Sequence, residues 1–182
     1  AESGAFPIFC PTTHGIGGKP MNTNYLSKLN VDWGIGTDCS GGNDDYDMFE
    51  EMRTALVLNN SVAQDNFIKP KDIFRKSSEE NISRISGGVF SGTLSKNQKA
   101  DFITISTNTP RMQPLHDVIN NIVMCASSKE VKDVYIDGEC IVKDSKFQNI
   151  DEEIILEEGT NAINTLFTKT GFDKKILDGD FS

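Results

Sequence analysis

Positive charge is scarce in this chain. Lys and Arg number 18 against 27 Asp and Glu, a formal net charge of −9 over 182 residues. No basic cluster interrupts the acidic excess, which argues against a nucleic-acid phosphate backbone as partner. Cysteine is sparse too. Cys10, Cys39, Cys125 and Cys140 stand far apart without Cys-x-x-Cys spacing, against a disulfide framework or a structural zinc knuckle. Reduced thiols in a cytoplasmic protein are the resulting expectation. There is no apolar run of membrane-spanning length, no signal-peptide pattern, no internal repeat and no low-complexity segment. The length fits one domain or slightly more.

What is present is organised around Val31–Arg53, VDWGIGTDCSGGNDDYDMFEEMR. Val31, Trp33 and Ile35 supply strand-forming bulk, and Gly34 and Gly36 allow another backbone to approach. Gly41 and Gly42 break the strand, with Asn43 or Asp44 available as a helix cap and Asp45 and Asp47 as first-turn charge. Met48, Phe49, Met52, Ala55 and Leu56 then recur at helical spacing, predicting a helix to about Asn60. In a strand–loop–helix unit reactive groups sit at the carboxyl end of the strand. The residue there is Asp38.

Upstream, Phe6–Cys10 reads as a buried strand. Gly15, Gly17, Gly18 and Pro20 read as a loop. Asn24–Asn30 reads as a brief helix with Tyr25, Leu26 and Leu29 inward. Strand and helix alternating at these intervals imply a parallel sheet. Downstream, a helix begins at Pro70, carries Ile73, Phe74, Ile82 and Ile85, and ends at Gly87-Gly88. The pattern then changes. Ala100–Ser106 and Asn121–Ala126 read as strands, and Val131–Phe147 as a hairpin about Asp137-Gly138. From Asp151 onward an amphipathic helix offers Ile154, Ile155, Ala162, Ile163, Leu166 and Phe167 for docking.

Four stretches together resemble one family. FCPTTH at Phe9–His14 is similar to a segment usually written HCPxSN. Gly34–Arg53 is similar to GxGTDGxxSNNxxDMxxEMR. Ser91–Ile105, SGTLSKNQKADFITI, is similar to GxLxxGxxADLxxx. Met112–Val142 is similar to QPxHDxxxNLVYxAxxxxVxxVxVxGxxV. In order and spacing these resemble the amidohydrolase superfamily, in the branch of methylthioadenosine/S-adenosylhomocysteine deaminases, guanine deaminase and chlorotriazine hydrolases. The resemblance implies an α/β chain made of the last two β/α units of a metal-dependent hydrolase TIM barrel, strands of a small composite β-sandwich, and a C-terminal helix. The expected divisions are 1–93, 94–150 and 151–182. A whole barrel takes about 250 residues, and by Phe6 the chain is already in an apolar segment. The expectation is therefore the carboxy-terminal portion of a longer enzyme.

By the same resemblance the complete enzyme holds one divalent metal, zinc or iron, and acts on a C–N bond of a purine, nucleoside or triazine-like ring. Asp38 corresponds to the strand-eight aspartate, a metal ligand and proton shuttle. The family's histidine ligands and catalytic glutamate precede Phe6 in family order, so this chain alone is expected to hold no metal. Some positions depart from the pattern. His14 stands where Asn is usual, Cys39 where Gly is frequent, and Gly41-Gly42 where Ala or Ser is usual. Asn97 replaces a turn glycine, and Asn81 a small residue.

Each residue also has a plainer reading. Asp38 can be a turn or helix cap. His14 can contact substrate, share a metal with Asp38, activate Cys10 or Cys39 as a thiol nucleophile, or simply bond to backbone. Asn43 is a candidate pocket residue, and His116 a structural one. The acidic cluster Asp44–Glu51 lacks calcium-loop spacing and reads as a helix start with a solvated face. Two functions follow for comparison. One is the aminohydrolase portion, incomplete without its missing amino-terminal barrel half. The other is a non-catalytic module that self-associates as a homo-oligomer through exposed strand edges and apolar helix faces.

Overall fold

The computed structural model describes residues 3–19 and 22–171. Ala1, Pro20 of the expected loop, and the tail beyond 171 lie outside the described residues.

The first part alternates strand and helix, and its two strands are parallel as expected. β1 (Ile8–Phe9) pairs with β2 (Gly34–Ile35), Ile8 opposite Gly34 and Phe9 opposite Ile35. The Gly34 N–H donates to the Pro7 carbonyl at 3.0 Å, and the Gly36 N–H to the Phe9 carbonyl at 2.9 Å. The two glycines make room for side chains, not for a second backbone. A Cβ on Gly34 would overlap the Asn81 side chain, and one on Gly36 would lie 2.8 Å from Ile8 Cγ2.

After β1 the chain enters α1 (Pro11–Ile16), with Pro11 in the first turn. This helix takes up Gly15, so the expected loop is shorter. α2 (Thr23–Lys28) is capped by Asn22, which accepts from the Tyr25 N–H at 3.0 Å. Only Leu26 of its expected apolar trio packs on the core. Tyr25 and Leu29, four apart on one stripe, are 59% and 48% exposed.

Beyond β2, the four-residue α3 (Ser40–Asn43) ends at Asp44 in the left-handed region. α4 (Met48–Val62) follows. Its cap is Asp47, not Asn43 or Asp44. Asp47 Oδ1 accepts from the N–H groups of Phe49 at 2.8 Å and Glu50 at 3.4 Å. The predicted stripe is the buried one: Phe49, Met52, Ala55 and Leu56 join Phe9, Trp33 and Ile35 in the core, with Met48 at its edge. The Thr23 hydroxyl, donating to Asn59 Oδ1, ties α2 to this helix.

α5 (Pro70–Ser77) begins at Pro70 and buries Ile73. A break at Ser78 separates α6 (Glu79–Ile85), where Ile82 and Ile85 face solvent. The expected continuous apolar face therefore stops with α5. The end of α6 is as the glycines predict. Gly87 and Gly88 have φ of 63° and 84°. Their N–H groups donate to the carbonyls of Arg84 at 3.2 Å and Ser83 at 2.7 Å, closing the helix in a left-handed cap.

Asn121–Ala126, expected as a strand, is not one: residues 121–125 are the second half of α7 (Val118–Cys125), capped by Asp117. α7 packs on α4 and α5, and Met112, Val123 and Ala126 complete the same core. α4 grips this segment at two points. Arg53 Nε donates to the Met124 carbonyl at 2.9 Å and its Nη2 to the Ala126 carbonyl at 2.6 Å. Asp47 Oδ2 accepts from the Ser128 N–H at 3.0 Å. Arg111 Nε adds a bond to the Cys125 carbonyl at 2.9 Å.

The second sheet is antiparallel, in the order β3 (Phe102–Ile105), β4 (Val131–Ile136), β5 (Glu139–Lys143) and β6 (Lys146–Phe147). The β4–β5 turn is the predicted Asp137-Gly138 pair, both at positive φ as a two-residue hairpin turn requires. α8 (Glu152–Thr170) runs from an Asp151 cap. Its Ile154, Ile155, Ala162, Ile163 and Leu166 are exposed, and Phe167 is half-buried. The architecture is thus α/β, with a short parallel pair, an antiparallel sheet and a C-terminal helix. It is not a closed barrel.

Candidate functional site

Because β1 and β2 are parallel, the segments that follow them emerge at one edge. Asp38 lies three residues past β2, with φ of 63°. Asp tolerates this left-handed conformation better than most residues, and such positions cluster at functional sites. Oδ1 accepts from the Cys39 N–H at 2.8 Å. Oδ2 has no hydrogen-bond partner among the described residues. A Cβ on Gly42 would stand 3.5 Å from Asp38 Oδ2 and crowd Thr13 Oγ1 at 3.2 Å, so the glycine lets these groups pack closely. The Thr13 hydroxyl is buried and unpartnered.

Asn43, at the end of α3, is buried at 7% exposure. Its Nδ2 donates to Glu51 Oε1 at 2.6 Å and to the Thr37 carbonyl at 3.4 Å. Glu51, 0% exposed, also accepts from the Thr12 N–H at 3.1 Å through Oε2. One carboxylate therefore links the corner after β1 to the corner after β2. Burial pushes its pKa above the ordinary glutamate value, while the hydrogen bonds from Thr12 and Asn43 pull the other way. The expected solvated face is wrong at this position. Glu51 lies four residues before Ala55, on the buried stripe of α4, and that spacing is the signal by which it can be found.

His14 is in the last turn of α1, its ring stacked on Phe9 with centroids 5.5 Å apart. Its Nδ1 is buried and unpartnered. No hydrogen bond or ion pair joins it to Asp38 among the described residues. Cys10 and Cys39 are both free thiols. Burial, then the charge of Asp38, raises the Cys10 pKa, the reverse of what a thiolate nucleophile needs. His116 is exposed, in the segment before α7.

Among the described residues no group of three His, Cys, Asp or Glu side chains is placed to hold a metal ion. Protein metal sites of the hydrolytic kind use at least three ligands. Asp38 offers one free oxygen, and no nitrogen ligand stands with it. The residues described do not make up a divalent-metal site by themselves.

A carboxylate at the carboxyl edge of a parallel β/α pair is the layout of barrel-type α/β hydrolases. Comparison with known proteins narrows this. The family model described as the amidohydrolase family matches residues 21–141. Over 146 residues the chain is 32% identical to 5-methylthioadenosine/S-adenosylhomocysteine deaminase of Bacillus cereus, covering 80% of this chain and 34% of that protein. The chain belongs to the amidohydrolase family. It spans about a third of the length of the curated relatives it matches. Two solved structures share the fold. One is an adenosine deaminase from Xanthomonas campestris with bound zinc, at TM-score 0.83 and 24% identity over 88% of this chain and 37% of that one. The other is atrazine chlorohydrolase from Arthrobacter aurescens complexed with zinc, at TM-score 0.78 and 16% identity over 88% of this chain and 36% of that one.

Proposed function

We propose that this chain is the carboxy-terminal portion of a metal-dependent aminohydrolase. The reaction is hydrolytic deamination at a non-peptide C–N bond of a purine, nucleoside or triazine-like ring. The observation that carries the reading is Asp38: left-handed at the carboxyl end of β2, one oxygen held by the Cys39 N–H, the other free. The deaminase likeness to the Bacillus cereus relative supports the substrate class. In this reading residues 1–93 are barrel, 94–150 sandwich strands and 151–182 the terminal helix and tail, and the whole acts in the cytoplasm.

Asp38 is the chain's own contribution to a zinc or iron site whose other ligands come from an amino-terminal barrel half. A metal there would lower the pKa of a bound water to about 7. Asp38 Oδ2, the oxygen left free, would be the group to accept a proton from that water and return it to the departing amine. Asn43 and His14 are assigned to the substrate pocket. By itself the chain is catalytically incomplete.

The test is ammonia release from 5′-methylthioadenosine, adenosine and guanine, with zinc supplied. The chain alone is expected to be inactive, and a complete polypeptide containing it active and silenced by Asp38→Asn. Turnover by the chain alone overturns the incompleteness, and full activity of the Asp38→Asn protein overturns the role of Asp38.

The exposed Ile154, Ile155, Leu156, Ile163 and Leu166 of α8 favour a second reading, a non-catalytic module that self-associates. Light scattering decides it: a monodisperse monomer at high concentration removes it.

A further inference from the structure

Asp38 is exposed, left-handed and has few ties of its own. Its Oδ1 accepts from the adjacent Cys39 N–H, and its backbone N–H points at the Cys10 sulfur, a weak acceptor. Its two neighbours, however, are held from one place. Asn43 Nδ2 donates to the Thr37 carbonyl at 3.4 Å, and the Asn43 backbone N–H donates to the Cys39 carbonyl at 3.3 Å. Asn43 thus grips the residues before and after Asp38. Asn43 is fixed in turn by Glu51, through the 2.6 Å bond from Nδ2 to Oε1. Glu51 belongs to α4, whose apolar stripe is seated in the core, and its other oxygen is tied to the Thr12 N–H of α1. The Ser40 N–H also meets the Tyr46 hydroxyl at 3.3 Å, but that residue is 66% exposed and gives no comparable anchor. An apolar side chain at position 51 would fill the stripe without the cost of burying a carboxylate, so what the carboxylate adds is its bonds.

We infer that Glu51 is the positioning residue for Asp38: acting through Asn43, it clamps both neighbours of the aspartate to α4 and so keeps Asp38 left-handed with Oδ2 free. The effect on turnover rests on the aminohydrolase reading. The clamp rests on the geometry.

Glu51→Gln tests this at nearly constant volume. The Thr12 N–H is backbone and cannot turn away, so the introduced amide keeps its oxygen there and its NH2 meets Asn43. The Asn43 amide reverses to accept from it, and the Thr37 carbonyl loses its donor. Glu51→Gln combined with Asn43→Asp remakes the pair with donor and acceptor exchanged, at unchanged net charge, but still offers the Thr37 carbonyl no donor. A role in packing alone is restored by the double variant; a role in holding Asp38 is not.

The first readout needs no catalysis. In the 15N-labelled chain a strong intraresidue NOE from N–H to Hα, which reports positive φ, is expected at Asp38 and should weaken in both variants. Asn97 and Asp137, at φ of 68° and 52° elsewhere in the chain, should keep theirs. A strong Asp38 NOE in Glu51→Gln, or its return in the double variant, overturns the inference. Loss at all three positions together means that Glu51 holds the whole fold, and overturns it too. In the complete polypeptide, with adenosine as probe, Glu51→Gln is expected to lower kcat about ten- to hundredfold and to leave KM within about threefold. A rise in KM at unchanged kcat overturns the positioning role. If the complete polypeptide deaminates no purine, the aminohydrolase reading fails, while the NOE still decides how Asp38 is held.

Discussion

Arg53→Ala should loosen the join between α4 and α7 by an amount that can be worked from two hydrogen bonds. The guanidinium donates to the carbonyls of Met124 and Ala126, at 2.9 and 2.6 Å, just where α7 ends and its carbonyls lack helical partners. Hydrogen bonds to a charged group contribute about 1.5–3 kcal/mol each. Arg53 is only half-buried and the freed carbonyls can turn to water, so about half of the summed value survives, roughly 1.5–3 kcal/mol. That is a large share of the roughly 5–15 kcal/mol by which a domain is stable. With a urea dependence of about 2 kcal/mol per molar, the unfolding midpoint should fall by about 0.75–1.5 M at unchanged slope. Arg53→Lys keeps the charge at the helix end but cannot reach both carbonyls with a rigid fork, so it should recover about half of the loss. A midpoint shift below about 0.3 M for Arg53→Ala, or a lysine variant as stable as the parent, refutes the reasoning.

Asp133 accepts from the Asp144 N–H and the Thr104 hydroxyl and pairs with Lys143, and its pKa is lowered to about 2. Its stabilisation is complete above about pH 4 and lost as pH falls through about 2, so Asp133→Asn should flatten urea midpoints over that window. Glu51 acts in the opposite sense. Its raised pKa makes the native state hold a proton longer than the unfolded one, so its contribution to stability declines as pH rises past the ordinary glutamate range. The same urea series, run with Glu51→Gln, should lose that decline. Gly159→Ala in α8, with nothing within 4 Å, should raise helicity by circular dichroism and stabilise that helix by about 0.5–1 kcal/mol. With a thiol reagent near neutral pH, exposed Cys39 should react well before Cys10, whose pKa is raised by burial and by Asp38; Asp38→Asn should narrow the gap.

The sequence made some of this legible and hid the rest for identifiable reasons. The β/α unit through Asp38 and α4 could be read because its apolar stripe repeats at helical spacing, which no strand can match. The Asp137-Gly138 hairpin and the Gly87-Gly88 stop could be read because positive φ restricts the residues allowed. Asn97, in place of a turn glycine, indeed has φ of 68°. NIVMCA misled because a six-residue apolar run has no period of its own; the Asp117 cap upstream was the arbitrating signal. His14 was ambiguous because helix and loop put its ring in different places, and α1 turns it onto Phe9. Glu51 was missed because charge was weighed ahead of position. A carboxylate on a buried stripe is found only by asking what donors could meet it, and those lie 39 residues away at Thr12 and 8 away at Asn43.

The run from Asp47 to Arg53 lies within the stretch matched by the amidohydrolase family model, yet no hydrogen bond or ion pair joins its side chains to Asp38 among the described residues. Asp47 and Arg53 hold the segment at 124–128, Met52 fills the core, and Glu51 braces two corners. A signature of this kind records how a frame is joined, not what is cut within it. Chains sharing it can be expected to diverge in leaving group and ring while keeping the joinery, as do a deaminase and a chlorohydrolase of one fold.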